Sequence, residues 1–165
     1  MDNEDAKKDW QEVIMGDGGH CPVCDRWGRI YKRNINATMA KSLLWLAGMH
    51  QNIDEPIEWV DVPTKAPRWL VRSNQLPSLK WWRLVERRPI EKDSKTKHSG
   101  FWKITDLGHE FALGGKWIPK AVYTYNDTVQ FVSPEHLQIS DCFKEYFDYK
   151  EVMGNYFPLK AIHDR

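Results

Sequence analysis

The sequence predicts an α+β protein, and three observations carry that reading. Apolar residues recur at three- and four-residue steps between Asn36 and Arg88, the spacing of a buried helix face. Strand-like runs at Phe101–Thr105 and Ala121–Val132 are bounded by turn residues. Glycine- and charge-rich stretches at residues 15–24 and 91–100 punctuate the chain and join elements rather than form them.

In chain order, Asp9 to Ile14 supports one short helical turn, and Gly16, Gly18 and Gly19 close it. Residues 25–34, DRWGRIYKRN, have a strand-like centre at Ile30. A convincing helix follows from Asn36, whose side-chain oxygen suits an N-cap, to Gly48 or His50. Met39, Leu43, Leu46 and Ala47 form its apolar face. Ile57 to Val62 reads as a strand. A short helix at Lys65–Val71 is expected next, capped by Thr64 with Pro67 in its first turn. Ser73, Asn74 and Gln75 make a polar turn into a third helix, where Leu76, Leu79 and Trp82 share the inner face.

That helix runs into a strand through Ile90, a ten-residue polar loop ends at Gly100, and FWKIT returns as a second strand. Thr105 or Asp106 caps the next helix, which stops at Gly114–Gly115. A hairpin turning at Asn126–Asp127 follows. Ser133 to His136 reads as a capping turn into a short helix, and the last amphipathic segment holds Phe143, Tyr146 and Phe147. Three regions result: 1–34, 35–115 as the central domain, and 116–165 as a hairpin and helix packed on it.

Composition narrows the function classes. The 165 residues are 41% hydrophobic and 28% charged, with nine Trp, a globular rather than disordered balance. No apolar run approaches the roughly 20 residues of a membrane span, and the acidic start MDNEDAKKDW is unlike a secretory signal. With three Cys in no regular framework, a cytosolic compartment with reduced thiols is expected. The net charge of +1 conceals an asymmetry. Between Lys65 and Lys103 eleven Lys or Arg face three Asp or Glu, so this stretch carries +8 and the remainder −7. Such a stretch suits a polyanion.

The central order is helix, strand, helix, turn, helix, strand, basic loop, strand, helix. It is the plan of a winged helix-turn-helix domain, flanked by a small N-terminal CxxC lobe and a C-terminal β-hairpin plus helix. KWWRLVERR, the polar loop, and GFWKITDLGHEFALG closely resemble bacterial winged-helix regulators, including the multiple-antibiotic-resistance type. The matching positions are Leu79, Trp82, Leu84, Val85 and Glu86, then Gly100, Trp102, Ile104, Thr105, Gly108 and Phe111. Those families usually carry Gly where Arg83 stands. The opening Cys21-Pro22-Val23-Cys24, then Tyr31, Lys32, Arg33, Asn36, Met39, Ala40 and Leu43, is similar to a phage and prophage family without an assigned activity.

The resemblance implies double-stranded DNA as partner, because a helix fits the major groove and a wing reaches the backbone. Asn74, Gln75, Ser78 and Lys80 are the candidates for base edges, since Asn and Gln pair with adenine and Lys reaches guanine acceptors. Lys92, Lys95, Lys97 and His98 on the wing are candidates for phosphate, to which Arg68, Arg72, Arg83 and Arg87 would add depending on orientation. A homodimer would match palindromic half-sites. The alternative is a phage-encoded module that binds and modulates a host protein through a Trp-rich surface around Trp59, Trp81 and Trp117.

Cys21 and Cys24 have the two-residue spacing that lets two thiolates grip one tetrahedral zinc ion. A structural site needs four ligands, and His20, His50, His136 and Cys142 stand at no diagnostic spacing. The pair therefore reads either as half of a structural zinc site or, by preference, as two reduced thiols on a turn. The chain has no glycine-rich phosphate loop and no HExxH, and an enzyme is not expected.

Overall fold

The computed structural model describes residues 3–51, 57–90 and 99–143. The expected wing residues 91–98 and the aromatic segment beyond Phe143 lie outside them. The protein is α+β, with short helices and small antiparallel sheets. Its first half runs α1 (Asn3–Met15), β1 (Gly19–His20), β2 (Trp27–Gly28), β3 (Tyr31–Asn34), α2 (Ala37–His50), β4 (Val60–Asp61), α3 (Val62–Lys65) and α4 (Arg68–Ser73). A 3-10 segment (Leu76–Trp82) leads to β5 (Val85–Arg87), β6 (Phe101–Ile104) and α5 (Asp106–Ala112). Then come β7 (Ile118–Pro119), β8 (Ala121–Tyr125), β9 (Thr128–Val132), β10 (His136–Leu137) and a 3-10 turn (Ile139–Cys142).

The chain forms two compact units. The first joins Met1–Asn34 to Pro119–Glu135, and the second joins Ile35–Ile118 to the chain from His136. The C-terminal hairpin, however, was expected on the central domain, and β8 pairs instead with β3. The Arg33 side chain also bonds Thr124, 91 positions along the chain, a separation at which local patterning does not specify a partner.

In the first unit α1 is a full helix rather than the single turn expected. Ile14 is buried and its carbonyl accepts the Ile30 N–H at 2.7 Å, which ties the helix end to the chain before β3. Strands β3, β8 and β9 form one sheet. The β8–β9 turn places Asn126 and Asp127 at φ 51° and 61°, the pair of positive φ values that a two-residue hairpin turn requires. Ser133 was expected to start a helical cap. It closes the sheet instead, accepting the Ala121 N–H and donating to Glu135 O, both at 3.0 Å. The 3-10 turn beyond it, already part of the second unit, is capped by Gln138 and Asp141.

The second unit is built around α2. Asn36 caps it as expected, its Oδ1 accepting the Met39 N–H at 2.9 Å. Met39, Ala40, Leu43, Leu44, Leu46 and Ala47 are all buried, so nearly the whole circumference is core. Burying each Leu contributes about 1.5–3 kcal/mol. Leu70, Leu76, Leu79, Trp82, Leu84, Val60, Trp102 and Phe111 complete that core. Strands β4, β6 and β5 form one sheet, with Val60 and Arg87 both opposite Trp102. Of the strand expected at Ile57–Val62, only Val60 and Asp61 pair.

Two helices near Pro67 differ from expectation. Thr64 lies inside α3 rather than capping a helix, and Pro67 is the cap residue of α4 rather than part of its first turn. Ala66 between them is extended, at φ −73° and ψ 148°, because a residue before proline is excluded from the helical region. The third expected helix is 3-10 throughout. Its inner residues recur every three positions, which matches the three-residue turn of that helix.

Candidate nucleic-acid interface

Asn74 ends α4 in the left-handed conformation, at φ 49° and ψ 39°, which Asn tolerates better than most residues. The reversal sends the chain into Leu76–Trp82. Asn74 and Arg87 then line one concavity of about 160 Å³, together with Leu76, Pro77 and Trp102. Gln75, Ser78 and Lys80 stand outside it. The Gln75 Oε1 accepts the Asn36 Nδ2–H at 2.8 Å, so bidentate pairing with a base would require that bond to open. The Lys80 ammonium stands over the Trp81 ring at 5.4 Å from its centroid.

Arg83 follows the 3-10 segment in the left-handed region, at φ 60° and ψ 29°. Its carbonyl accepts the Thr105 hydroxyl at 2.6 Å, and Thr105 Oγ1 in turn accepts the Gly108 N–H at 3.0 Å. The turn before β5 and the cap of α5 are therefore one hydrogen-bonded unit. The β-hairpin carries cations over rings: Arg87 over Trp102 at 4.4 Å and Arg88 over Phe101 at 5.4 Å. Lys103 stands over Trp59 at 4.7 Å, between Glu58 and Glu86 at 3.9 and 3.6 Å. Arg88 was counted in the basic stretch but not singled out; its place next to Arg87 at the end of β5 was the available signal. Lys92, Lys95, Lys97 and His98 lie outside the described residues.

Comparison with known proteins returns no match: no family model, no curated protein and no solved structure.

Of the tryptophans considered for protein docking, Trp59 and Trp81 each carry a lysine over the ring, while Trp117 is 56% exposed.

In the first unit, Cys21 and Cys24 sit on a tight turn. The Cys21 N–H donates to Arg26 O at 2.7 Å and its carbonyl accepts the Asp25 N–H at 2.9 Å. Asp25 completes the turn at φ 61°. The backbone N–H groups of Cys24, and next Val23, face the Cys21 sulfur and lower its pKa, because they stabilise the thiolate. Two thiols held this way fit half of a tetrahedral zinc set. Among the described residues no third Cys, His, Asp or Glu joins them. The His20 ring bonds Asp25 O at 2.9 Å, and His50 is committed within the second unit. Cys142 is buried, which together with Asp141 pushes its thiol up to about 12.

Sequence reasoning also passed over the arginines beside this turn. Arg26, Arg29 and Arg33 interleave with Trp27 and Tyr31 in DRWGRIYKR, and they line a cavity in the first unit. The alternation of Arg with aromatic residues was the signal for it.

Proposed function

We propose that the protein is a non-enzymatic, double-stranded DNA-binding protein of the winged helix-turn-helix type and of phage or prophage origin. It would act in the bacterial cytoplasm as a transcriptional regulator or replication-associated factor. The observation that carries this reading is the arrangement of the second unit. After α2 come β4, α3, α4, the reversal at Asn74, a helical segment and β5, and then, beyond a basic run of sequence, β6 and α5, with β4, β6 and β5 in one sheet. In a domain of that plan the segment after the reversal faces the major groove and the loop between the last strands faces the backbone. The +8 stretch covers both.

A 3-10 segment of seven residues offers fewer side chains than a long recognition helix. Base contacts then fall to residues around its start, and phosphate contacts carry most of the affinity.

The test is fluorescence anisotropy with mixed-sequence duplex at several salt concentrations. With five or six phosphates engaged, log affinity should fall against log salt with a slope of about −5. Lys80→Ala combined with Lys95→Ala should weaken binding and make the slope shallower by about 2. An unchanged slope would mean these lysines are not at the contact face. Absence of binding at low salt would overturn the DNA reading in favour of docking on a host protein, which the exposure of Trp117 and Trp69 supports.

A further inference from the structure

We propose that the first unit carries a separate site for single-stranded nucleic acid, in the cavity lined by Arg26, Arg29, Arg33, Trp27, Tyr31 and Tyr125. The cavity measures about 470 Å³ and lies wholly within that unit. Its construction follows from the strand. Alternation along β3 puts Tyr31 and Arg33 on one face and Lys32 on the other, where Lys32 stands over Tyr123. On the cavity side the Arg33 Nε donates to the Thr124 hydroxyl at 3.0 Å, and Thr124 is 2% exposed. That anchor fixes the guanidinium before any ligand arrives.

Two guanidiniums converge on one ring: Arg29 lies 5.6 Å and Arg33 5.8 Å from the Tyr31 centroid. Two guanidiniums at one ring give this face a positive potential that attracts an anion. Three arginines line the cavity against one carboxylate, Asp127. All three cations are Arg rather than Lys, the residue whose planar fork matches phosphate oxygens and whose face stacks on rings.

The second requirement is a stacking surface. Trp27 is 55% exposed, with its ring in edge contact with His20. Tyr31 is 45% exposed but already carries the two guanidiniums, so Trp27 offers the open face. Guanidiniums that track phosphates, beside rings that accept bases, are the recognition chemistry of a single strand. A duplex keeps its base faces stacked inside and cannot use those rings. The site does not depend on the duplex reading of the second unit.

The experiment is anisotropy titration of the full chain with labelled oligothymidine, which forms no duplex, with thymidine monophosphate as competitor. Binding is expected, with a log–log salt slope of about −2 from three phosphate contacts. Arg26→Gln combined with Arg29→Gln should weaken it at least tenfold, and so should Tyr31→Leu. Arg26, Arg29 and Tyr31 are all exposed, and an unchanged thermal unfolding midpoint shows that the variants fold. Lys80→Ala with Lys95→Ala should leave oligothymidine binding unchanged, which separates this site from the duplex face. Failure to bind at low salt, or wild-type affinity in the Arg26/Arg29 and Tyr31 variants, overturns the proposal. Displacement by the monophosphate at equal nucleotide concentration also overturns it, in favour of a mononucleotide pocket.

Discussion

At His50 one imidazole joins the end of α2 to two other parts of its unit. Nδ1 lies 2.8 Å from Ile57 O and Nε2 accepts the Ile104 N–H at 3.1 Å. A carbonyl only accepts and an amide N–H only donates, so the neutral ring with its proton on Nδ1 satisfies both. Burial, and less strongly the charge of Lys103, lower the His50 pKa below 6.5 against the opposing effect of the Ile57 bond. The unfolded chain therefore takes up a proton that the folded protein resists. This contribution to stability is complete above the unfolded pKa and is lost as pH falls from about 6.5 toward the folded value. The urea midpoint should drop between about pH 7 and about pH 5, and less steeply in His50→Gln. Parallel curves would assign the pH dependence to other groups. Arg83 offers a second single-residue test. A side chain at φ 60° is strained relative to glycine, so Arg83→Gly should raise stability by about 1 kcal/mol, seen as a higher melting temperature. In the DNA reading the same change should weaken duplex binding. A lower melting temperature would mean that the side chain stabilises the turn by more than its backbone costs.

Among the elements, the junction of β5 and α5 is closely fitted at Gly108. A Cβ on Gly108 would overlap the Leu84 carbonyl oxygen and also meet Ile104 Cγ1. Gly108→Ala should therefore destabilise by about 1–3 kcal/mol through overpacking. Gly115→Ala, with only Glu110 O at 3.7 Å, serves as the control and should change little. Equal effects in calorimetry would refute the close-contact account. Only the cap was legible in the sequence, where Thr105 or Asp106 was expected and Thr105 caps α5; the approach of Gly108 to Leu84 is a tertiary contact that no local pattern shows. The helical type of Leu76–Trp82 was less legible than the cap. Its three-residue steps were visible, but they fit the edge of an α-helix as readily as a 3-10 turn. Ala66 was legible in principle, since Pro67 alone dictates its extended backbone. The Asn126–Asp127 turn was read correctly because two short polar residues between alternating strands leave few other geometries.

For the whole molecule, charge and chain order were readable while partnership was not. The basic stretch from Lys65 to Lys103 stands out in composition alone. The cavity of the first unit does not, because it needs DRWGRIYKR and the turn residues Thr124 to Asp127 in one place. Their meeting depends on β3 pairing with β8, a contact between segments that no local pattern links. The interleaving has a further consequence, for the order of assembly. Asn34 and Ala121 are direct strand partners, so the intervening chain leaves and re-enters the first unit at neighbouring points. Closing a loop of that size in an unfolded chain costs about 4 kcal/mol or more of entropy. Compaction of the second unit draws its two ends together and removes most of that cost. During synthesis β3 must wait, unpaired, until β8 has emerged, with the middle of the chain acting as the splint that brings the two together.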